Sequence, residues 1–183
     1  LTFFLNFPVN NDAALLPADD EDNPRVNAVV KAVRIASPSV VSIYLVDSRG
    51  AASGQGSGVI LDENGLVITN WHVVWGASNS RSELQVRLTD NRSYVAKVLS
   101  TSPDDDLALL QLDLGEDTVR PIMLGDSDTL MIGETTIAIG NPRGHSDSVT
   151  VGVLSAIDRS INVRAPDRPR RYEGLLQTDA AIN

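Results

Sequence analysis

The chain has 183 residues, enough for one large domain or two small ones, and its 42% hydrophobic and 21% charged residues match the composition of ordinary globular proteins. The formal net charge of -9 argues against general nucleic-acid binding, which needs a basic face to neutralise phosphates. Because the chain has no cysteine, a disulfide framework, a thiol nucleophile and a thiolate metal site are all excluded.

Residues 1–22 have no periodic apolar face and are interpreted as a leader. The apolar stretch at residues 1–5 is far too short to span a bilayer, so it is either the stub of a removed anchor or signal, or a plain disordered end. The acidic run at residues 19–22 is typical of a solvated tail. If the leader packs at all, its three phenylalanines suit a contact with another subunit; they are Phe3, Phe4 and Phe7.

One short amphipathic helix is predicted after the leader. Asn23 suits a helix N-cap and Pro24 suits the first turn. The valines that follow fall on one helical face, at positions 26, 29, 30 and 33. Pro38 restricts the residue before it and ends the helix there.

Short β-rich runs between turn signals follow from residue 39 onward. The first series covers residues 40–46, 58–61, 66–69, 84–88, 94–100 and 107–112, and the second covers 135–139, 149–157, 161–163 and 172–177. No long helical pattern separates them, so the sequence predicts an all-β fold of barrel or sandwich type, and its two groups of strands suggest two barrels. The predicted domains are a leader at 1–22, the helix and first barrel at 23–125, and the second barrel at 126–183.

The chain has two histidines, so only two imidazole side chains are candidates for a proton-transfer site. His72 lies where residues 66–74 change from strand to turn, a position that is more often structural than catalytic when taken by itself. Asp106 is the last of three consecutive aspartates and directly precedes an apolar strand. It is therefore the one expected to turn inward, where it needs a hydrogen-bonded partner such as a histidine. His145 lies in a turn-type sequence and is interpreted as an exposed loop residue.

Three other patterns in the sequence bear on its function. The glycines at 54–58 precede no helix and lack the lysine of a phosphate-binding loop, so they predict backbone crowding beside a strand. No zinc site is expected, because with two histidines, no cysteine and no His-Glu-x-x-His motif the ligands would have to be mostly carboxylates. Five arginines lie between residues 159 and 171. They indicate either an exposed turn or a loop that binds carboxylates or backbone carbonyls of a regulator or a neighbouring subunit.

Five segments carry a family resemblance that covers residues 26–183. They are GSGVILDENGLVITNWHVV at 56–74, DDLALL at 105–110, GETTIAIGNP at 133–142, VTVGVLS at 149–155 and LQTDAAIN at 176–183. In this order they resemble the protease domain of the HtrA/Deg (Do-like) family of trypsin-like serine proteases. One position departs from the pattern, since Trp71 stands where a smaller or polar residue is expected, and we expect it to reshape the rim of the site.

The resemblance implies two six-stranded antiparallel β-barrels of the chymotrypsin type, with the second barrel incomplete in this chain. It also implies that His72 and Asp106 are two members of a Ser-His-Asp triad. The serine is expected beyond Asn183, in a Gly-Asn-Ser-Gly-Gly motif. The chain is therefore expected to be inactive by itself, for want of both the nucleophile and the oxyanion hole.

At the level of biology, the resemblance implies a protein quality-control endopeptidase that cleaves unfolded or misfolded polypeptides. It further implies a homotrimer and a bacterial periplasmic location, with an anchor upstream of Leu1 and a PDZ domain downstream of Asn183 as open options. No cofactor, metal or nucleic acid is expected. Two alternatives stay open: a catalytically incompetent protease-like module that binds peptides or regulates, and a structural fragment left by proteolytic clipping.

Overall fold

The computed structural model describes the backbone of residues 3–4 and then residues 23–47, 49–78, 82–140, 148–164 and 168–182. His145 and the rest of the predicted leader lie outside these ranges. In the part of the chain that the structure describes, no helix has the length and apolar character that a membrane crossing requires.

Helix α1, Ala28–Ala36, is the helix predicted from the valine spacing. It is capped by Asn27, whose side-chain oxygen accepts a hydrogen bond from the backbone N–H of Val30 at 3.0 Å. The sequence favours Asn23 as the cap, but its side-chain oxygen accepts from the N–H of Arg25 at 3.1 Å and forms a turn ahead of the helix. The helix ends in a 3-10 turn, Ser37–Ser39, as the proline at 38 predicts.

Six strands form a closed antiparallel barrel in the order β2-β3-β4-β7-β6-β5, and β5 pairs with β2 to complete the ring. Closure leaves no sheet edge exposed along this barrel. The strands are β2 Val40–Val46, β3 Ala52–Ile60, β4 Leu66–Thr69, β5 Glu83–Arg87, β6 Ser93–Ser102 and β7 Leu107–Leu112. This confirms the predicted all-β barrel, and each run of the first series overlaps one of these strands with ends that agree to within two residues, except that β3 begins six residues earlier than predicted.

The barrel is filled by aliphatic side chains from alternate positions along its strands, as the two-residue period of a β-strand requires. Five of them have an exposed fraction of 0%: Ile43, Ile60, Val67, Val86 and Leu110. The glycine cluster lies within β3 and supports this packing. A Cβ atom on Gly58 would lie 2.8 Å from Cδ1 of Ile43, which confirms the predicted crowding.

A second sheet has the order β1-β8-β9-β10, and over the described residues these four strands do not close. The strands are β1 Phe3–Phe4, β8 Thr135–Gly140, β9 Ser148–Arg164 and β10 Pro169–Thr178. The incomplete second barrel is therefore confirmed. The sequence predicts two strands, at 149–157 and 161–163, where the structure has the single strand β9. The strand continues through Asp158, although the φ of 56° at that residue is in the left-handed region.

The leader contacts the second sheet through its backbone, with Phe3 opposite Ile139 and Phe4 opposite Ala138. No pattern in the sequence predicts a strand there. The pairing forms because β8 offers an edge that β1 occupies. The domain boundaries after residues 22 and 125 stay predictions.

Candidate active site

His72 lies on α2, Trp71–Val74, a single helical turn that begins directly after β4. Two anchors hold this turn against the barrel. Val74 is buried with 1% of its surface exposed. At the other end, the N–H of Trp71 donates to the main-chain oxygen of Asp106 at 3.0 Å. His72 thus sits on a short element whose two ends are both attached to the first barrel.

Asp106 ends the four-residue turn between β6 and β7, and its backbone has φ 53°. This left-handed conformation is uncommon for residues other than glycine, and aspartate and asparagine tolerate it best. It costs conformational free energy, which the surrounding hydrogen bonds offset. Here the turn brings Asp106 beside α2, although 34 residues separate it from His72.

The two side chains are joined by a contact of 2.7 Å between Nδ1 of His72 and Oδ2 of Asp106. The other carboxylate oxygen, Oδ1, accepts from the backbone N–H of His72 at 3.0 Å. Because a carboxylate only accepts hydrogen bonds, this contact assigns a proton to Nδ1, and in the neutral imidazole Nε2 is then the acceptor nitrogen. The expected hydrogen bond between these two residues is therefore present.

A third residue, Asn70, takes part in this arrangement, and sequence reasoning did not single it out. Its side-chain amide donates to Asp106 twice, to the main-chain oxygen and to Oδ2, both at 3.0 Å. Asn70 is buried, with 8% of its surface exposed. The signal for it in the sequence is a polar amide at the junction between an apolar strand and the histidine, where burial requires a hydrogen-bonding partner.

Exposure differs between the two members of the dyad. The His72 side chain is 63% exposed and that of Asp106 is 21% exposed. An imidazole that is oriented by a carboxylate and open on its other side is arranged to exchange a proton with a bound group. Asp104 and Asp105, which precede Asp106, are both exposed, so only the last aspartate of the run turns inward, as predicted.

The sequence also singles out His145, possible metal ligands and the arginine-rich segment. His145 lies outside the described residues. Among the residues that are described, no group of three or more histidine and acidic side chains is arranged to hold a metal ion. Of the arginine-rich segment, Arg159 and Arg164 lie on β9, and Arg170 and Arg171 lie on β10. The exposed-turn interpretation is wrong for Arg170, which is 7% exposed. It is buried because its guanidinium packs against the ring of Trp71.

The model of the trypsin-like peptidase domain family matches residues 56–183. The chain belongs to this family. This trypsin-like domain is 38% identical over 165 residues to Protease Do-like 1, chloroplastic, of Arabidopsis thaliana. It is 45% identical over 130 residues to the periplasmic serine endoprotease DegP of Salmonella typhimurium. These alignments cover 85% and 70% of this chain but only 36% and 25% of the two relatives, so the chain spans a minor part of their length.

Solved structures agree with the curated relatives. The crystal structure of Deg5 superposes with a TM-score of 0.73 and 31% identity, over 92% of this chain and 77% of that one. The HtrA-type protease AlgW, solved with a tripeptide, gives a TM-score of 0.70 and 34% identity over 86% of this chain and 48% of its own. The resemblance to the HtrA/Deg family is therefore confirmed, and with it the chymotrypsin-like fold.

Proposed function

We propose that this chain is the dyad-bearing part of a serine endopeptidase that cleaves unfolded or misfolded polypeptides. The observation that carries the proposal is the 2.7 Å contact between Nδ1 of His72 and Oδ2 of Asp106 in a trypsin-like domain. A histidine held in one tautomer by a carboxylate is the proton-transfer half of a serine-protease triad.

In this mechanism His72 acts at Nε2. It takes the proton from a serine hydroxyl as that oxygen attacks the scissile carbonyl, and it returns the proton to the departing amine. Water then repeats the two steps and releases the acyl product. Asp106 keeps the ring proton on Nδ1 and stabilises the imidazolium that forms, so the ring does not rotate between the two transfers.

The serine is proposed to follow Asn183 in the natural protein. Three hydrogen bonds between described residues attach the segment before that point to β9, and one of them runs from the N–H of Asp179 to the main-chain oxygen of Val153 at 3.4 Å. The carboxylate of Asp179 accepts from the N–H of Val153 at 2.7 Å, and Thr150 donates its hydroxyl to the main-chain oxygen of Ala181 at 2.6 Å. These bonds give the proposed nucleophile loop a fixed starting point on the second sheet.

The test uses the full-length natural protein and unfolded casein as the substrate. Replacing His72 by alanine should lower kcat about 10⁶-fold, and Asp106→Asn should lower it about 10⁴-fold because the ring then adopts the wrong tautomer. Each change has a matched control in this chain. His145→Ala removes the other imidazole and Asp105→Asn changes an exposed neighbour, and both should leave kcat within about twofold of the parent.

The rates of casein cleavage by the parent and its variants distinguish an enzyme from a binding module. If His72→Ala cleaves casein as fast as His145→Ala, the triad assignment is wrong. If the parent binds casein but does not cleave it, the protein is a protease-like binding module. The 183-residue chain by itself should bind no active-site phosphonate, since it carries no serine in a nucleophile motif.

We further propose a periplasmic homotrimer, tethered to the inner membrane by a segment before Leu1 and extended by a PDZ domain after Asn183. The names of curated relatives support the location, since one is called periplasmic and another is called chloroplastic, whereas the trimer, the tether and the PDZ domain rest on the family resemblance alone. Sedimentation equilibrium should give three times the monomer mass. Deleting residues 1–22 and finding the same mass would show that the leader does not hold the subunits together.

A further inference from the structure

Arg170 is the one buried residue of β10, whose other residues are exposed or half-buried. Only 4% of its side chain is exposed. Burying a guanidinium is costly unless it is paired, so an arginine at this position of a surface hairpin requires a specific set of partners. The partners therefore indicate what the hairpin is positioned against.

Two of those partners belong to the first barrel. The guanidinium carbon of Arg170 lies 4.7 Å from the centroid of the Trp71 ring, and its Nε lies 3.7 Å from Oδ1 of Asp104. Arg168, on the same hairpin, also forms an ion pair with Asp104. A planar guanidinium stacks on an aromatic face and pairs with a carboxylate at the same time, which a lysine ammonium does less well.

Both contacted residues are close neighbours of the dyad in the chain. Trp71 directly precedes His72, and its own N–H donates to the main-chain oxygen of Asp106. Asp104 is in the same four-residue turn as Asp106, two positions earlier. The hairpin thus contacts, through Arg170, the two separate segments that carry the histidine and the aspartate.

We propose that Arg170 is a positioning residue for the reaction, which acts through Trp71 and Asp104 to hold His72 and Asp106 at hydrogen-bonding distance. The inference rests on the proposed protease function. It assigns to the β9–β10 hairpin of the second sheet a direct part in setting the geometry of a dyad that lies on the first barrel. A misplacement of about 1 Å in such a group costs about 100-fold in rate.

The kinetic test uses the full-length protein and a peptide substrate, with kcat expressed per folded molecule. We expect Arg170→Gln to lower kcat about 10- to 100-fold while KM stays within about twofold, because the substrate contacts are unchanged. Arg170→Lys keeps the charge and should recover part of the loss. The matched control is Arg171→Gln, since Arg171 is on the same strand, is exposed and pairs with Glu173 at 2.8 Å. It should leave kcat within about twofold.

A second measurement reports on the hydrogen bond between His72 and Asp106 and does not require catalysis. The ring proton on Nδ1 of His72 gives a downfield nuclear magnetic resonance signal that His72→Ala removes. Arg170→Gln should shift this signal upfield or broaden it, while Arg171→Gln should leave it unchanged. A double change of Arg170→Gln with Trp71→Leu should lower kcat no further than the more severe single change, since the two residues act as one unit.

The proposal is overturned if Arg170→Gln keeps both the kcat and the ring-proton signal of the Arg171→Gln control. It is also overturned if kcat per folded molecule is normal and only the melting temperature falls, which would make the contact purely structural. The two proposals can fail separately. If the proposed protease function is wrong, the parent does not cleave the peptide substrate, but the ring-proton signal still shows whether Arg170 positions His72.

Discussion

Replacing Asn70 by alanine should lower the free energy of unfolding by about 1–2 kcal/mol, even though no apolar core contact is lost. The amide of Asn70 makes two hydrogen bonds to Asp106, one to a neutral main-chain oxygen and one to a carboxylate oxygen. A neutral bond contributes about 1 kcal/mol and a bond to a charged group about 1.5–3 kcal/mol. Because Asn70 is buried, solvent screens these bonds little.

An opposing contribution reduces the loss. The side-chain carbonyl oxygen of Asn70 is buried and makes no hydrogen bond to any described residue. Such an orphaned acceptor destabilises the folded state by about 1–3 kcal/mol, and alanine removes it. With central values of about 3 kcal/mol for the two lost bonds and about 2 kcal/mol for the relieved acceptor, the net loss is about 1–2 kcal/mol. This corresponds to a fall in Tm of about 2–8 °C for a domain of this size.

Tryptophan fluorescence is the assay suited to this change, because the two tryptophans of the chain, Trp71 and Trp75, lie on either side of His72. Urea unfolding of the parent, Asn70→Ala and a control would be compared at one pH. Asn64→Ala is the control, since it makes the same change in an exposed turn. If Asn70→Ala unfolds at the same urea concentration as Asn64→Ala, the amide bonds do not stabilise Asp106 and the reasoning is wrong.

Three further changes are predicted. Gly58→Ala should lower the free energy of unfolding by about 1–3 kcal/mol in urea titrations, because its Cβ would lie 2.8 Å from Cδ1 of Ile43 inside the closed barrel; an unchanged midpoint would show that the barrel relaxes. Gly152→Ala should lower the rate of casein cleavage by a larger factor than it lowers the equilibrium constant of folding. Its Cβ would overlap the carboxylate of Asp179 and displace the segment before the proposed nucleophile. Asp90 has a pKa lowered from 3.8, chiefly by a hydrogen bond from the backbone N–H two residues later. The ionised Asp90 side chain therefore stabilises the folded state above pH 3.8, and this contribution is lost as the pH falls through the lower, folded-state pKa. The difference in Tm between the parent and Asp90→Asn should vanish in strong acid.

Local patterns in the sequence predict the first barrel well. Apolar side chains alternate with polar ones along β5, so its inward face follows from the sequence. β2 and β7 are apolar at most positions, so the sequence predicts these strands from their composition and the flanking turn residues, while their inward faces follow only from the structure. The sequence offers two asparagines as the helix N-cap, Asn23 and Asn27. Asn27 caps the helix, because the side-chain oxygen of Asn23 already accepts a hydrogen bond in the turn before the helix.

The site is predicted in part. His72 stands out because imidazole is scarce in this chain, and Asp106 stands out because one of three aspartates abuts an apolar strand. Asn70 and Arg170 do not stand out in this way. An asparagine beside a strand and an arginine in an arginine-rich segment look like surface residues until their partners are known.

The sequence by itself therefore determined the residue types of the dyad, the strand pattern of the closed barrel and the family to which the chain belongs. The residue types and the strand pattern depend on neighbours within a few positions of one another, and the family depends on five such segments in a fixed order. Only the tertiary structure decided that Asn70 binds Asp106 across 36 residues, that Arg170 is buried on Trp71, and that the leader pairs with β8. The physical reason is that burial of a polar group is stable only when a partner from a distant segment is already in place, and no local pattern encodes where that partner lies.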